Sequence, residues 1–464
     1  MSAIDRQMRY LLSLMLLLAV PAMAQTDPGA EVSQQRLQAD VETLVSFGTR
    51  HTISDPDDPV RGIGAARRWA TSEFEATSRA CGGCLEIIHP ERVVTGDRIP
   101  DGVLIQNVVA IQRGSERPDE VVIVQAHIDS RASDVMDAAS DAPGANDNAS
   151  GSALVLEAAR VLSQREYPAT VVYALLSGEE QGLFGGELMA EYALEQGWSV
   201  KAVLNNDIVG GSCGSDGICD AEHVRVFSEG VRADVDEQAL RQLGSLGGEN
   251  DSPSRNISRW LDELAGEYED GLEVRQTWRS DRMGRGGDHL PFLDRGLPAI
   301  RFSVAVEDYE HQHQDLRVED GVTYGDTVDE MDFGYLAKVT RLNVQALDRL
   351  ARLPMPPHAK TTAAVQTFTT VDWVPALGAT SYRIYRRGTD EPYWPSTPEE
   401  ELTLESGHVA DEKGKFIVWR TRPEVKFDGV RGDDWIFGVA ACNGEICSPI
   451  SSAVPGGAFA PTSD

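Results

Sequence analysis

Three stretches of this chain share one shape: an apolar run of strand length that stops in acids or histidine. VVIVQAHIDS covers 121–130, ATVVYALLSGEE covers 169–180 and VKAVLNNDIVGG covers 200–211. Between them, SALVLEAARVLSQ (152–164) and ELMAEYALEQG (187–197) carry apolar residues at helical spacing. A strand that is apolar on both of its faces must be covered on both, and the alternating helices supply that cover. The fold expected is therefore α/β: a mixed, mostly parallel sheet sandwiched by helices, filling 25–353. In such sheets ligands gather outside the carboxyl ends of the strands. Here those ends carry His127 and Asp129, Glu179 and Glu180, and Asp207.

Each of these residues has a plainer explanation when taken alone. A lone histidine is more often a satisfied core or surface group, and adjacent glutamates after a strand are usually solvated. Asp207 follows two asparagines and reads as a turn or cap. Asp147 sits in GANDNASG (144–151) at the mouth of a helix, where turn preference and the helix dipole both favour an acid. The conjunction outweighs these readings. Consecutive strand ends, the turn acid and a histidine-rich EHQHQD (310–315) make a donor set of carboxylates and imidazoles without thiolate, which suits zinc in a hydrolytic site. Two metal ions sharing a bridging carboxylate need five ligands, and one further carboxylate must take a proton from water. The chain supplies that number.

AHIDS, GANDNASG, SGEEQGLFGG, NNDIVGG, and GLPAIRF followed by EHQHQD occur in this order within roughly 105–350. Together they resemble the zinc exopeptidase family that contains the bacterial leucyl and Streptomyces-type aminopeptidases and glutamate carboxypeptidase II. The resemblance implies two zinc ions, with His127 and Asp207 on one, Glu180 and His311 on the other, and Asp147 bridging. It implies Glu179 as general base and a cis peptide after Asp147. Asp129, two residues beyond His127 on a strand, points to the same face and is expected to orient that imidazole through its second nitrogen. The pattern is not followed everywhere. The tyrosine usual before the last histidine is Glu310 here, with Tyr309 one step earlier. His313 competes with His311, which is favoured because the spacing to an acid fits His311 and Asp315. Asp288 and His289, with Tyr309, are substrate-side candidates, and RSD (279–281) competes with Asp288-His289 for that role.

The function expected is a secreted di-zinc aminopeptidase acting on peptide or protein substrates. The alternatives are a carboxypeptidase or a single-zinc glutaminyl cyclase on the same fold, or a non-catalytic receptor-like binding protein. The last would be expected to have lost ligands. A formal net charge of −32 argues against nucleic acid or anionic membrane surfaces as partners.

At the amino end, Arg6 and Arg9 precede LLSLMLLLAVPAMA, closing in Ala22-Met23-Ala24. This reads as a signal peptide over 1–24, too short to anchor in a bilayer, and implies a secreted or periplasmic protein. Six cysteines fall into three close pairs, Cys81 with Cys84, Cys213 with Cys219, and Cys442 with Cys447, the pattern of local disulfides in an exported chain. RLPMPPHAKTT (352–362) marks a proline-rich linker, placed at 354–363. Beyond it, 364–455 resembles a fibronectin type III β-sandwich, carried by Trp373, the YRIYRR strand at 382–387 and FGVAACNGEICSPIS at 437–451, with a tail over 456–464. This unit is expected to stand apart, with few contacts crossing the linker.

Overall fold

The computed structural model describes residues 27–268, 271–403 and 422–459. The signal peptide, residues 404–421 within the stretch read as fibronectin-like and the last tail residues lie outside the described residues. Among the described residues no helix is long and apolar enough to cross a membrane.

An eight-stranded sheet forms the centre of the larger unit. Its strands are β1 (Glu86–Ile88), β2 (Val108–Gln112), β3 (Arg117–His127), β4 (Ala169–Leu176), β5 (Ser199–Asn206), β6 (His223–Phe227), β7 (Glu273–Thr277) and β8 (Ala299–Val304). They lie in the order β1-β2-β4-β3-β5-β8-β6-β7. The middle four, β4, β3, β5 and β8, run parallel; β1, β2 and the β8–β6 contact are antiparallel. The sheet is thus mixed and mostly parallel at its core, as the apolar runs require.

Alternation along a strand explains why those runs are continuous. Val122, Val124 and Ala126 of β3 pack on one face, in a cluster with Leu37, Phe74, Leu154 and Leu347. Val121 and Ile123 pack on the other face with Met189, Ala190 and Phe292. The first cluster is built by α1 (Gln34–Ser46), α2 (Gly62–Ala80), α3 (Gly151–Leu162) and the long α6 (Phe333–Arg352). The second is built by α4 (Phe184–Glu195) and the turn at Leu290–Leu293. α5 (Pro253–Ala265) covers the β6–β7 side. Because the four central strands are parallel, their carboxyl ends open at one edge, and the loops that follow β3, β4, β5 and β8 meet there.

The smaller unit is two stacked antiparallel sheets. Ala359–Thr362, Phe368–Trp373 and Glu424–Asp428 make one; Glu400–Thr403, Ser381–Gly388 and Trp435–Asn443 make the other, with short strands at Ile446–Cys447 and Ser451–Ser452. Val371, Trp373 and Phe427 from the first meet Tyr382, Ile384, Phe437 and Val439 from the second. All three cysteine pairs form disulfides.

The expectation that this unit stands apart is not what the structure shows. Buried Asp251, just ahead of α5, accepts from the Arg387 guanidinium at 2.7 Å on each oxygen and from Ser452 at 2.7 Å. Asn256 of α5 donates to Ser452 at 2.9 Å and accepts from the Trp394 indole at 3.1 Å. Arg232 reaches the Ala458 carbonyl at 3.0 Å, and Phe459 joins the larger unit's core. Arg387 alternates outward in YRIYRR, and a polar outward face reads as solvated in sequence. Whether it meets water or a second domain is a tertiary fact.

Candidate active site

The carboxyl ends of β4 and β5 bring Glu179, Glu180 and Asp207 to the rim of a cavity of about 630 Å³, the turn before α3 adds Asp147, and His127 at the end of β3 lies buried just behind them. Gly144 opens that turn in the left-handed region, φ 53°, and a side chain there would collide with the Asp147 carbonyl. The Asp147–Asn148 peptide is cis. Asn148 accepts from Gly151 N–H at 3.0 Å and donates to the Asn206 carbonyl at 2.9 Å, tying the turn to α3 and β5. Asp326 accepts from the Asn146 and Asp147 amides at 2.8 and 2.7 Å, so the turn's backbone is held from both sides.

The two oxygens of Asp147 face different groups. Oδ1 lies 3.1 Å from His127 Nε2, which is 3.8 Å from Asp207 Oδ1. Oδ2 lies 3.0 Å from His313 Nε2, which is 3.1 Å from Glu180 Oε1. Two donor sets therefore converge on one shared carboxylate. His127, Asp147 and Glu180 offer ligand atoms within 4.8 Å of one another, as do His127, Glu179 and Asp207. The donors are oxygen and imidazole nitrogen, mostly buried, and of the kind zinc takes.

The imidazole beside Asp147 and Glu180 is that of His313, where the spacing favoured His311. His311 turns away, its Nδ1 2.7 Å from Asp308 and its Nε2 3.4 Å from Glu330. His313 itself makes a left-handed step, φ 56°, a departure from regular backbone within this segment. Gln312, between the two, donates to Asp147 Oδ2 at 2.8 Å. Counting residues to the next acid cannot register such a step.

Asp129 also acts differently from expectation. His127 Nδ1 faces the Asp129 carbonyl at 3.1 Å, while the nearest carboxylate oxygen is 3.7 Å away. The carboxylate instead accepts from Thr52 Oγ1 at 2.8 Å and from the Glu179 and Glu180 amides at 3.3 and 3.2 Å. It positions the glutamate pair as much as the histidine.

Asp288 and His289 lie behind the cavity wall. Asp288 accepts from the Gly186 amide at 3.1 Å, its second carboxylate oxygen is buried without a partner, and burial pushes its pKa up to about 7. His289 sits 2.6 Å from the Ser280 carbonyl; burial, with Arg301 adding to it, lowers its pKa to about 4. Tyr309 is 60% exposed and its ring faces Arg285.

Electrostatics follow from the crowding of acids. Burial pushes the Glu179 carboxyl well above its usual range; His127 opposes this, and Asp207, Glu180 and Asp288 add to it. Burial works against a charged His313, yet Glu180 and Asp147 raise its pKa to about 10. Burial works against a charged Asp207, yet Arg301, 2.8 Å away, together with His127 and Arg282 holds its carboxyl below the usual carboxylate range. Protonated imidazoles and Arg301 thus supply positive charge to these carboxylates. Arg301, Arg131 and Asp326 were not foreseen from sequence. Arg301 had a signal, since it is a lone cation inside the apolar run GLPAIRF, and such a residue needs a buried partner. Arg131 contacts Glu180 Oε2 at 3.0 Å and His313 Nδ1 at 2.7 Å.

Residues 107–319 match Peptidase family M28. A "Probable zinc metalloprotease" of Leptosphaeria maculans is 40% identical over 369 residues, covering 78% of this chain and 86% of the relative. Another so described, from Pyricularia oryzae, is 41% identical over 375 residues, covering 78% and 75%. Among solved structures, Legionella pneumophila LapA aligns over 70% of this chain and 75% of its own, at 20% identity and TM-score 0.52, a likeness of fold. On the strength of these matches, the chain belongs to peptidase family M28.

Proposed function

We propose that this M28 peptidase is a secreted di-zinc exopeptidase that releases N-terminal residues from peptides. The observation that carries the reading is the placement of Asp147, with one oxygen toward His127 and Asp207 and the other toward His313 and Glu180. That is the arrangement of a carboxylate shared by two ions. Held there, zinc would supply Lewis acidity to the scissile carbonyl and make an attacking water more acidic. Glu179, on the cavity wall beside these donors, is the group to accept the water's proton and return it to the departing amine. Glu180, its neighbour, is turned into the donor set. Asp129 holds both in register through their amides.

Export is supported by the signal-like amino end and by three disulfides, which persist in oxidising compartments. The smaller unit's two packed antiparallel sheets suit the fibronectin type III-like reading.

The test is elemental analysis of the purified protein together with a panel of aminoacyl arylamides and amino-blocked peptides. Two zinc ions per chain, loss of activity on chelation and cleavage confined to free amino ends are expected. Full activity with one zinc would favour the cyclase-like single-metal reading, and cleavage of amino-blocked peptides from their carboxyl end would favour a carboxypeptidase.

A further inference from the structure

The cavity beside the candidate metal centre has a cationic wall that the reaction so far described does not use. The loop 279–289, RSDRMGRGGDH, hangs over it and places Arg282 and Arg285 on the lining. The loop is held firmly. Asp281 accepts from the Arg282 and Gly286 amides at 2.6 Å each, and Arg301 bonds to the Gly286 carbonyl beneath. Gly287 (φ 155°) packs so closely on Arg301 and His289 that a side chain there would meet both.

Glu307 anchors both guanidinium groups without balancing them. It accepts from Arg225 at 2.6 Å, from Arg282 at 3.2 Å and from Arg285, so one carboxylate serves three cations. Arg282 is largely shielded, its side chain 9% exposed, and its Nε has no hydrogen-bond partner. The other acids acting on its charge are Asp207, Asp147 and Glu179. In the proposed reading two of these are committed to divalent cations and the third to a proton. What then faces the cavity is surplus positive charge on a planar donor fork, the geometry that grips a carboxylate with two parallel bonds. In a chain of net charge −32, the field at a distance repels acidic peptides, so their admission needs a local cation of this kind.

We propose that Arg282 and Arg285 form a carboxylate subsite, so that the preferred substrates carry a negative charge on the residue that directly follows the scissile bond. This rests on the exopeptidase reading above. The carboxylate has two possible sources, an acidic side chain at the second residue or the free carboxyl end of a dipeptide.

Four peptides separate these sources: Leu-Glu-amide has only the side chain, Leu-Ala only the free end, Leu-Glu both and Leu-Ala-amide neither. Turnover is measured with the zinc-loaded enzyme, and affinity by calorimetry with zinc-loaded Glu179→Gln protein. At least one charged peptide is expected to have kcat/KM and affinity about tenfold above Leu-Ala-amide, the worth of one charge-assisted hydrogen bond. Arg285→Gln and Arg282→Gln should each collapse that ratio through KM, and Arg282→Lys should restore part of it. Zinc content and circular dichroism establish that each variant is folded and loaded. Equal affinity for all four peptides would overturn the proposal. So would a fall in kcat common to all four in the arginine variants, which would instead give these residues a role at the transition state. If no peptide is cleaved but the charged ones bind better, the aminopeptidase reading fails and the subsite stands.

Discussion

Charge is buried in two places in this protein. At the seam between the units, Asp251 is met by Arg387 on both oxygens and by Ser452, with Arg259 3.7 Å away. At the cleft, Asp147, Glu179, Glu180 and Asp207 converge on one cavity, and Asp147 alone is approached by His127, His313 and Gln312. At the seam the buried acid is met by opposite charge and a hydroxyl, although Arg259 Nε and Nη2 and Arg387 Nε are buried without a hydrogen-bond partner. At the cleft like charges are crowded and held by protons and by Arg301, and positively charged ions would do this better. A buried ion pair is costly to break but adds little over a well-packed apolar contact. A cluster of converging acids costs stability and is retained where it binds something.

Substitutions sharpen this contrast. The largest effect is expected from Asp147→Ala, which removes the oxygens shared by both donor sets. Both zinc ions should be lost and activity should fall by about 10⁴-fold or more, while the far-ultraviolet spectrum stays that of the parent, because the sheet core does not depend on the site. Glu179→Gln comes next, with both ions retained and kcat down by about 10³-fold, since the amide keeps the shape and cannot accept a proton. Residual activity within a few-fold of the parent would remove Glu179 from the base role.

The seam should respond in the opposite currency. Arg387→Ala leaves Asp251 buried with only Ser452 and the more distant Arg259 as partners and should destabilise the protein by about 3 kcal/mol in denaturant unfolding. Zinc content and kcat of the folded fraction should not change. A chain ended near Pro357 exposes the same carboxylate and should unfold more readily than the full chain. Parent-like stability in either would mean that the seam is incidental. The smallest effect belongs to His311→Ala, expected to alter kcat/KM by no more than about threefold, as for substitutions away from a functional constellation. His313→Ala should lose zinc and most activity. The reverse result would return the ligand role to His311.

The fold was largely legible because continuous apolar strands alternating with amphipathic helices admit few arrangements. Of the candidate site, the convergence of His127, Asp147, Glu179, Glu180 and Asp207 was legible because strand ends and one glycine-bounded turn fix where they go. The histidine near 311–313 was not, since spacing to the next acid does not tell which of two rings, two residues apart, faces Asp147. Arg301 carried a signal that went unused. Asp326, Arg282 and Arg285 carried none, being polar residues in loops, where exposure is the ordinary outcome.

The sequence by itself determined the local chemistry: strand and helix periods, three cysteine pairs close enough to bond, and acids at the ends of parallel strands. Each of these depends on residues near one another in the chain, so spacing alone can express it. Tertiary structure decided which imidazole completes the second donor set, which carboxylate neutralises which arginine, and that the smaller unit is locked to the larger through Asp251 and Arg387. Those outcomes join residues far apart in the chain, by more than a hundred positions for Glu180 with His313 and for Asp251 with Arg387, and only packing determines which of many equally polar groups is shut away from water with which partner.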